Sequence, residues 1–235
     1  MKEILVTIPV TEEHKKFLEA KAADGQYNCC FRYVEKKSVT KEDVERAHVM
    51  IGNLPADMAR NAKNLEWYQL NSAGADPYIK PGVLPEGAVL TNATGAYGLA
   101  VSEHMIALVF DLIRRFNQYH KSQAGHVWES RGNIISVEGS TVLVLGVGDI
   151  GGEFARKMKA LGAYTIGVRR TLREKPEYLD EQHILEDLDK LLPRADIVAM
   201  VLPGGDATNH LMDEKKLRLM KRGVYLINVG RGNAI

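Results

Sequence analysis

Short apolar runs alternate with segments of helical spacing along the whole chain. Residues 4–8, 49–51, 67–70 and 88–90 read as buried strands, and residues 12–23, 41–46 and 55–61 between them read as helices. Residues 100–118 form the longest helical candidate. Val101, Met105, Leu108, Val109, Leu112, Ile113 and Phe116 cover more than one of its faces, which predicts burial on two sides. The strand pattern restarts at 141–145 and recurs at 164–168, 197–201 and 224–229, with helices over 152–161, 185–192 and 213–221. Strand–helix alternation of this kind predicts an α/β protein with two doubly wound parallel sheets. The boundary is expected near residues 95–98, giving domains 1–96 and 97–235.

The 235 residues are enough for two such units. Thirty-one Lys and Arg balance thirty Asp and Glu, a net charge of +1 that gives no support for a nucleic-acid partner or a membrane surface. The longest apolar segment, 105–110, is closed by Asp111 and then Arg114 and Arg115, so no membrane span is expected. The only cysteines, Cys29 and Cys30, are adjacent and unsuited to a disulfide, and the N-terminus lacks a signal-peptide pattern. A cytoplasmic protein is the expectation. No His, Cys or acidic cluster has metal-ligand spacing, and no metal is expected.

The chemistry begins at Gly146-Val147-Gly148-Asp149-Ile150-Gly151, a GxGxxG turn that follows an apolar strand and opens a helix. The first glycine permits the tight turn, the second admits a pyrophosphate, and the third lets helix and strand pack closely. Amides at the positive end of the helix dipole then meet the phosphates, with Ile150 inside the turn. Asp149 is a misfit beside a phosphate and is expected to cap the helix while pointing away from the ligand.

About twenty residues after the last glycine, the second strand ends in Arg169, Arg170 and Thr171, where an NAD site normally places Asp or Glu for the ribose 2′-hydroxyl. Two guanidinium groups and a hydroxyl suit a 2′-phosphate instead. NADP is therefore expected to be preferred over NAD.

Taken together, the motifs resemble the D-isomer-specific 2-hydroxyacid dehydrogenase family, over residues 1–235. Asn71-Ser72-Ala73-Gly74-Ala75-Asp76 is similar to the family's substrate-domain loop, and residues 91–95 with Val101-Ser102-Glu103-His104 resemble its crossover into the cofactor domain. Val201-Leu202-Pro203 with Thr208 and Leu211 resembles the strand end flanking the adenosine. Ile227-Asn228-Val229-Gly230-Arg231-Gly232 is similar to the catalytic-arginine signature.

The resemblance implies a flavodoxin-like substrate domain, a Rossmann domain, and reversible hydride transfer between NAD(P)H and a small 2-oxo acid. Backbone amides of Ala73 and Gly74 would hold the substrate carboxylate, and Arg231 would grip both the carboxylate and the carbonyl oxygen. Leu202, Pro203, Thr208, Val229, Gly230 and Arg231 are expected to line the cofactor. A homodimer is implied, through the 101–116 helix and the 121–139 arm. The family's glutamate and histidine acid–base pair lies downstream of the arginine signature, so the chain is expected to lack a C-terminal part that carries it. None of the seven histidines replaces the missing one: His104 is expected to be packed or capping, and His14, His48 and His183 to be solvated. The competing expectation is a catalytically silent, redox-sensing dinucleotide module, which leaves Arg231 without a role. The absence of an arginine cluster near Asn71–Asp76 leans against a phosphorylated substrate.

Overall fold

The computed structural model describes residues 1–235, which divide into two compact units, Met1–Thr94 and Gly95–Ile235. In the first, strands β1 (Lys2–Val6), β2 (Cys29–Tyr33), β3 (Val49–Ile51), β4 (Trp67–Gln69) and β5 (Val89–Thr91) form one parallel sheet in the order β2-β1-β3-β4-β5. Helices α1 (Glu12–Asp24), α2 (Lys41–Arg46) and α3 (Ala56–Ala59) supply connections. That strand order is the flavodoxin-like one, whose switch point lies between β1 and β3. The core gathers Leu5, Val44, Met50, Leu54, Tyr68 and Leu70. Within it the Tyr68 hydroxyl accepts from the Leu54 amide at 2.9 Å and the Tyr78 hydroxyl donates to the Leu54 carbonyl at 2.6 Å, which anchors the loop after β3. Burial pushes the Tyr68 phenol well above its usual range, so it stays neutral.

The second unit carries β6 (Thr141–Leu145), β7 (Tyr164–Arg169), β8 (Glu181–Ile184), β9 (Ile197–Met200) and β10 (Tyr225–Asn228), all parallel, in the order β10-β9-β6-β7-β8. Read from β8, this is the 3-2-1-4-5 order of a Rossmann sheet, with its switch point between β6 and β9. Helices α4 (Gly98–Ile113), α5 (Phe116–Ala124), α6 (Asp149–Ala160), α7 (Leu188–Leu191) and α8 (Glu214–Leu219) complete it. The central strands bury Leu143, Leu145, Ile166, Val168, Val198 and Met200 completely or nearly so. No helix is long and apolar enough to cross a membrane.

Two edge strands are absent from the sequence reading, and both for the same reason. Strands β2 (CCFRY) and β8 (EQHI) are half-exposed along their length and need no continuous apolar run. Each is held by its backbone ladder to one neighbour, with ion pairs added to it. Arg32 of β2 reaches the buried Asp43 at 2.6 Å, and although burial opposes it, Thr40 and Arg32 hold that carboxyl below its usual range. Glu181 of β8 accepts from Arg194 at 2.9 Å, Tyr164 at 2.8 Å and His183 at 2.8 Å, and the Arg194 hydrogen bonds bring its pKa to about 2 against the opposing effect of burial. His183 is thus half-buried between Glu181 and Asp187 rather than solvated.

The long helix also differs from expectation. It ends at Ile113, and Arg115 takes a left-handed φ of 58° with its side chain donating to the Asn133 carbonyl at 3.0 Å. Phe116 therefore begins the separate helix α5. Helix α4 buries a single stripe, Gly98, Ser102, Met105, Val109 and Ile113, so its other apolar positions are only partly covered by the chain itself. His104 is exposed on it, neither packed nor capping.

Candidate functional site

In the second unit, the ends of β6, β9 and β10 converge at the switch point. Gly146 has φ 96°, and a Cβ there would lie 2.7 Å from the Val201 carbonyl oxygen. A Cβ on Gly230 would lie 2.6 Å from the Leu202 carbonyl oxygen, and one on Gly151 would overlap the Gly146 carbonyl. These three glycines are required by the packing of backbone on backbone. Gly148 is different. Its φ of −94° suits any residue, and a Cβ there meets nothing within 4 Å. The fold itself makes no demand for glycine at this position, so the demand comes from whatever approaches the turn from outside.

Helix α6 starts at Asp149, and its earliest backbone bond runs from the Gly152 amide to the Gly148 carbonyl at 2.8 Å. The amides of Asp149 and Ile150 therefore sit at the open, positive end of a twelve-residue helix. Asp149 does not cap α6: the cap position is Gly148, which makes no side-chain cap bond. Its carboxylate instead accepts from the Gly95 amide at 3.2 Å and lies against Gly98 at the start of α4. The sequence carried no signal for this contact, because 54 residues separate its partners.

Arg169, Arg170 and Thr171 leave the end of β7, beside the glycine turn, whose Gly146 amide donates to the Val168 carbonyl at 2.9 Å. Arg169 is half-buried and loosely held by Gln182 at 3.5 Å, while Arg170 and Thr171 are exposed. Leu202 packs on the core beneath Gly230, and Pro203 is exposed beyond it. Thr208 donates to the Pro203 and Gly205 carbonyls at 2.8 and 3.1 Å, so its hydroxyl closes its own loop. After β10, Val229 is bound through its amide to Met200, and Arg231 is half-buried with Nη1 donating to the Gly230 carbonyl at 3.2 Å. The sequence reading missed the residue that shapes this turn. The Asn228 side chain accepts from the Gly230 amide and donates to the Arg231 carbonyl, both at 2.9 Å. An amide side chain in the midst of a buried strand end was the available signal.

In the first unit, the loop after β4 presents Ala73 and Gly74 half-buried. Their carbonyls are occupied, Ala73 by the Asn92 side chain and Gly74 by the Ser72 hydroxyl, both at 2.8 Å. Their amides donate to no acceptor in the chain, which leaves two adjacent N–H groups for an anion. The Asn53 side chain, in a segment the sequence reading expected near the substrate (Asn53-Leu54-Pro55, with Tyr97), braces this loop. It donates to the Ser72 hydroxyl at 2.7 Å and accepts from the Asn71 amide at 2.9 Å.

Comparisons with known proteins agree with this geometry. Residues 106–235 match the model of the D-isomer specific 2-hydroxyacid dehydrogenase, NAD binding domain. The D-3-phosphoglycerate dehydrogenase of Methanocaldococcus jannaschii is 25% identical over 100% of this chain and 45% of its own length. The glyoxylate reductase of Thermofilum pendens is 27% identical over 80% of this chain and 57% of its own. The chain spans about half the length of such curated relatives. Among solved structures, a D-isomer specific 2-hydroxyacid dehydrogenase family protein from Aeromonas salmonicida superposes with a TM-score of 0.83 at 28% identity, covering 100% of this chain and 74% of that one. The chain belongs to the D-isomer specific 2-hydroxyacid dehydrogenase family and contains that family's NAD-binding domain.

Proposed function

We propose that the protein is an oxidoreductase that transfers hydride between NADPH and a small 2-oxo acid, giving a D-2-hydroxy acid reversibly. The observation that carries this reading is Gly148, a glycine without an internal reason at the mouth of a helix whose amides are open. A pyrophosphate against that backbone is the ligand that requires its missing side chain. Gly146, Gly151 and Ile150 shape the turn, and Leu202, Pro203, Val229 and Gly230 form the neighbouring walls, with Thr208 holding the Pro203 loop in shape. When bound, the dinucleotide supplies the hydride and a general acid supplies the proton that completes the hydroxyl, while the residues named here hold and polarise the substrate. The Ala73 and Gly74 amides bind the substrate carboxylate in the substrate domain, residues 1–96. Arg231, in the cofactor domain of residues 97–235, binds the carboxylate and donates to the carbonyl oxygen as negative charge develops there.

The preference for NADPH rests on Arg169, Arg170 and Thr171, which offer donors to a 2′-phosphate and no carboxylate to a ribose hydroxyl. The test is reduced-cofactor oxidation by the protein expressed from its complete gene, against glyoxylate, hydroxypyruvate, pyruvate and longer 2-oxo acids. Turnover with at least one acid is expected, and NADPH is expected to bind more tightly than NADH. Replacing both Arg169 and Arg170 by Ser should weaken NADPH about a hundredfold and NADH only slightly, since each charge-assisted contact is worth about 1.5–3 kcal/mol. Tighter NADH binding by the unaltered protein would remove the cofactor assignment, and silence with every acid would remove the enzyme.

The same reading includes a homodimer formed through α4 and the 121–139 arm. Leu99 and Val127 are exposed there, Phe116 is exposed at the start of α5 between them, and Trp128 is entirely so, at 103% relative exposure. Sedimentation velocity should return twice the monomer mass; a monomer at micromolar concentration contradicts it.

A further inference from the structure

Asp149 stands in the glycine turn, yet the proposed function gives its side chain no role. A carboxylate beside phosphate-binding amides is repelled by the ligand those amides attract. Here it is turned away and placed. Its Oδ2 accepts from the Gly95 amide at 3.2 Å. Its Oδ1 takes the space beside Gly98, where a Cβ would lie 2.5 Å from it, and the three atoms nearest to that Cβ all belong to Asp149. Gly98 is buried and opens α4, a sixteen-residue helix whose cap position, Tyr97, makes no side-chain cap bond. The carboxylate therefore lies at the positive end of α4, while the backbone amide of the same residue lies at the positive end of α6. Further along, Lys157 of α6 donates to the buried Ser102 hydroxyl of α4 at 2.8 Å, so the two helices meet as a fixed pair. Thr94, Gly95, Ala96 and Tyr97, by contrast, are all exposed. Gly95 has φ 99°, and a Cβ there would meet nothing within 4 Å. Burial holds none of this stretch, and it is where the chain passes from the first unit to the second.

From this we infer that Asp149 is a positioning residue for hydride transfer: its side chain ties residues 95–98 to the turn that receives the pyrophosphate. The inference rests on the proposed function and adds to it a side chain that touches neither the substrate nor the reacting atoms. One residue makes two contacts in different directions, its amide toward the cofactor and its carboxylate toward the crossover. The two are thereby registered within a single residue's reach. The chain's entry into the second unit is then part of the reaction geometry, where a misplacement of about 1 Å costs about a hundredfold in rate. Two effects of opposite sign follow. The carboxylate's charge disfavours the pyrophosphate, and its hydrogen bond orders the crossover. Removing it therefore leaves cofactor affinity intact or improved while turnover falls.

The test uses the protein expressed from its complete gene. It combines NADPH titration, steady-state kinetics on an acid that turns over, and hydrogen exchange of the amides of residues 95–100. Asp149→Ala should lower kcat about tenfold or more and speed exchange at Gly95 about threefold to tenfold. Its NADPH Kd should stay unchanged or become up to about tenfold tighter. Asp149→Asn keeps an oxygen for the Gly95 amide and should recover most of the lost kcat and of the protection. Gly98→Ala drives a Cβ into the carboxylate and should reproduce the losses of Asp149→Ala. In the Asp149→Ala background the same change should add nothing, a coupling that two independent structural defects would not show. Four results overturn the inference and leave hydride transfer standing: unchanged kcat in Asp149→Ala, NADPH binding weakened in proportion to lost activity, no recovery in Asp149→Asn, or losses that simply add in the double variant. Silence of the unaltered protein with every acid removes the functional reading instead, and exchange at Gly95 then shows alone whether the tether exists.

Discussion

Arg231→Ala should abolish turnover, by about a thousandfold or more, while NADPH binds within a few-fold of its original affinity. The direction follows from where the guanidinium sits. Asn228 fixes the backbone on both sides of it, at Gly230 and at the Arg231 carbonyl, so the side chain leaves the strand end in a defined direction. Removing a preorganised donor aimed at developing oxyanion charge costs about 2.7–4 kcal/mol in comparable sites, and in the proposed function the same group would also hold the carboxylate. Arg231→Lys should recover little, because an ammonium cannot span a carboxylate and a carbonyl oxygen in one plane. Stopped-flow hydride transfer and fluorescence titration of NADPH separate the two effects. Loss of cofactor binding in Arg231→Ala, with full activity at saturating cofactor, would make Arg231 structural.

Gly148→Val should cost no more than the poorer helix cap, about 1 kcal/mol or 2–4 °C, and weaken NADPH binding about a hundredfold or more. The side chain enters space that no protein atom occupies, in a backbone conformation valine accepts. The main cost therefore appears only when the ligand's phosphates need to approach the amides. Gly151→Val is the contrasting control. Its Cβ overlaps the Gly146 carbonyl, so strand β6 and helix α6 must part, and overpacking of this kind costs about 1–3 kcal/mol of stability or more. Differential scanning calorimetry alongside cofactor titration reads both outcomes. If Gly148→Val melts earlier than this, the glycine is structural and the case for a dinucleotide loses its main support.

The two glycines stand in one motif, yet they are glycine for unrelated reasons, and the spacing alone does not reveal which is which. Similar divisions run through the molecule. Central strands such as β6 and β9 are legible because burial on both faces demands an unbroken apolar run. The edge strands β2 and β8 are not, since each pairs on one side only and is half-exposed, so neither needs an unbroken apolar run. Asp149 shows the same limit within the candidate site. Its type reads as a helix cap, and only the packing of α4 against α6 turns it toward the Gly95 amide.

By itself the sequence determined the α/β class and the two-unit plan, and it marked the glycine-rich turn and Arg231 as candidates. Each of these is local: a periodicity or a spacing within a few residues suffices. The tertiary structure alone decided which residues share a wall. Lys15 of α1 and Lys36, Lys37, Asn53 and Asn71 from the segments after β2, β3 and β4 border one cavity, and nothing in their sequence positions connects these elements. A parallel sheet brings every carboxyl end to one edge, and the strand order decides which of those ends border the same crevice.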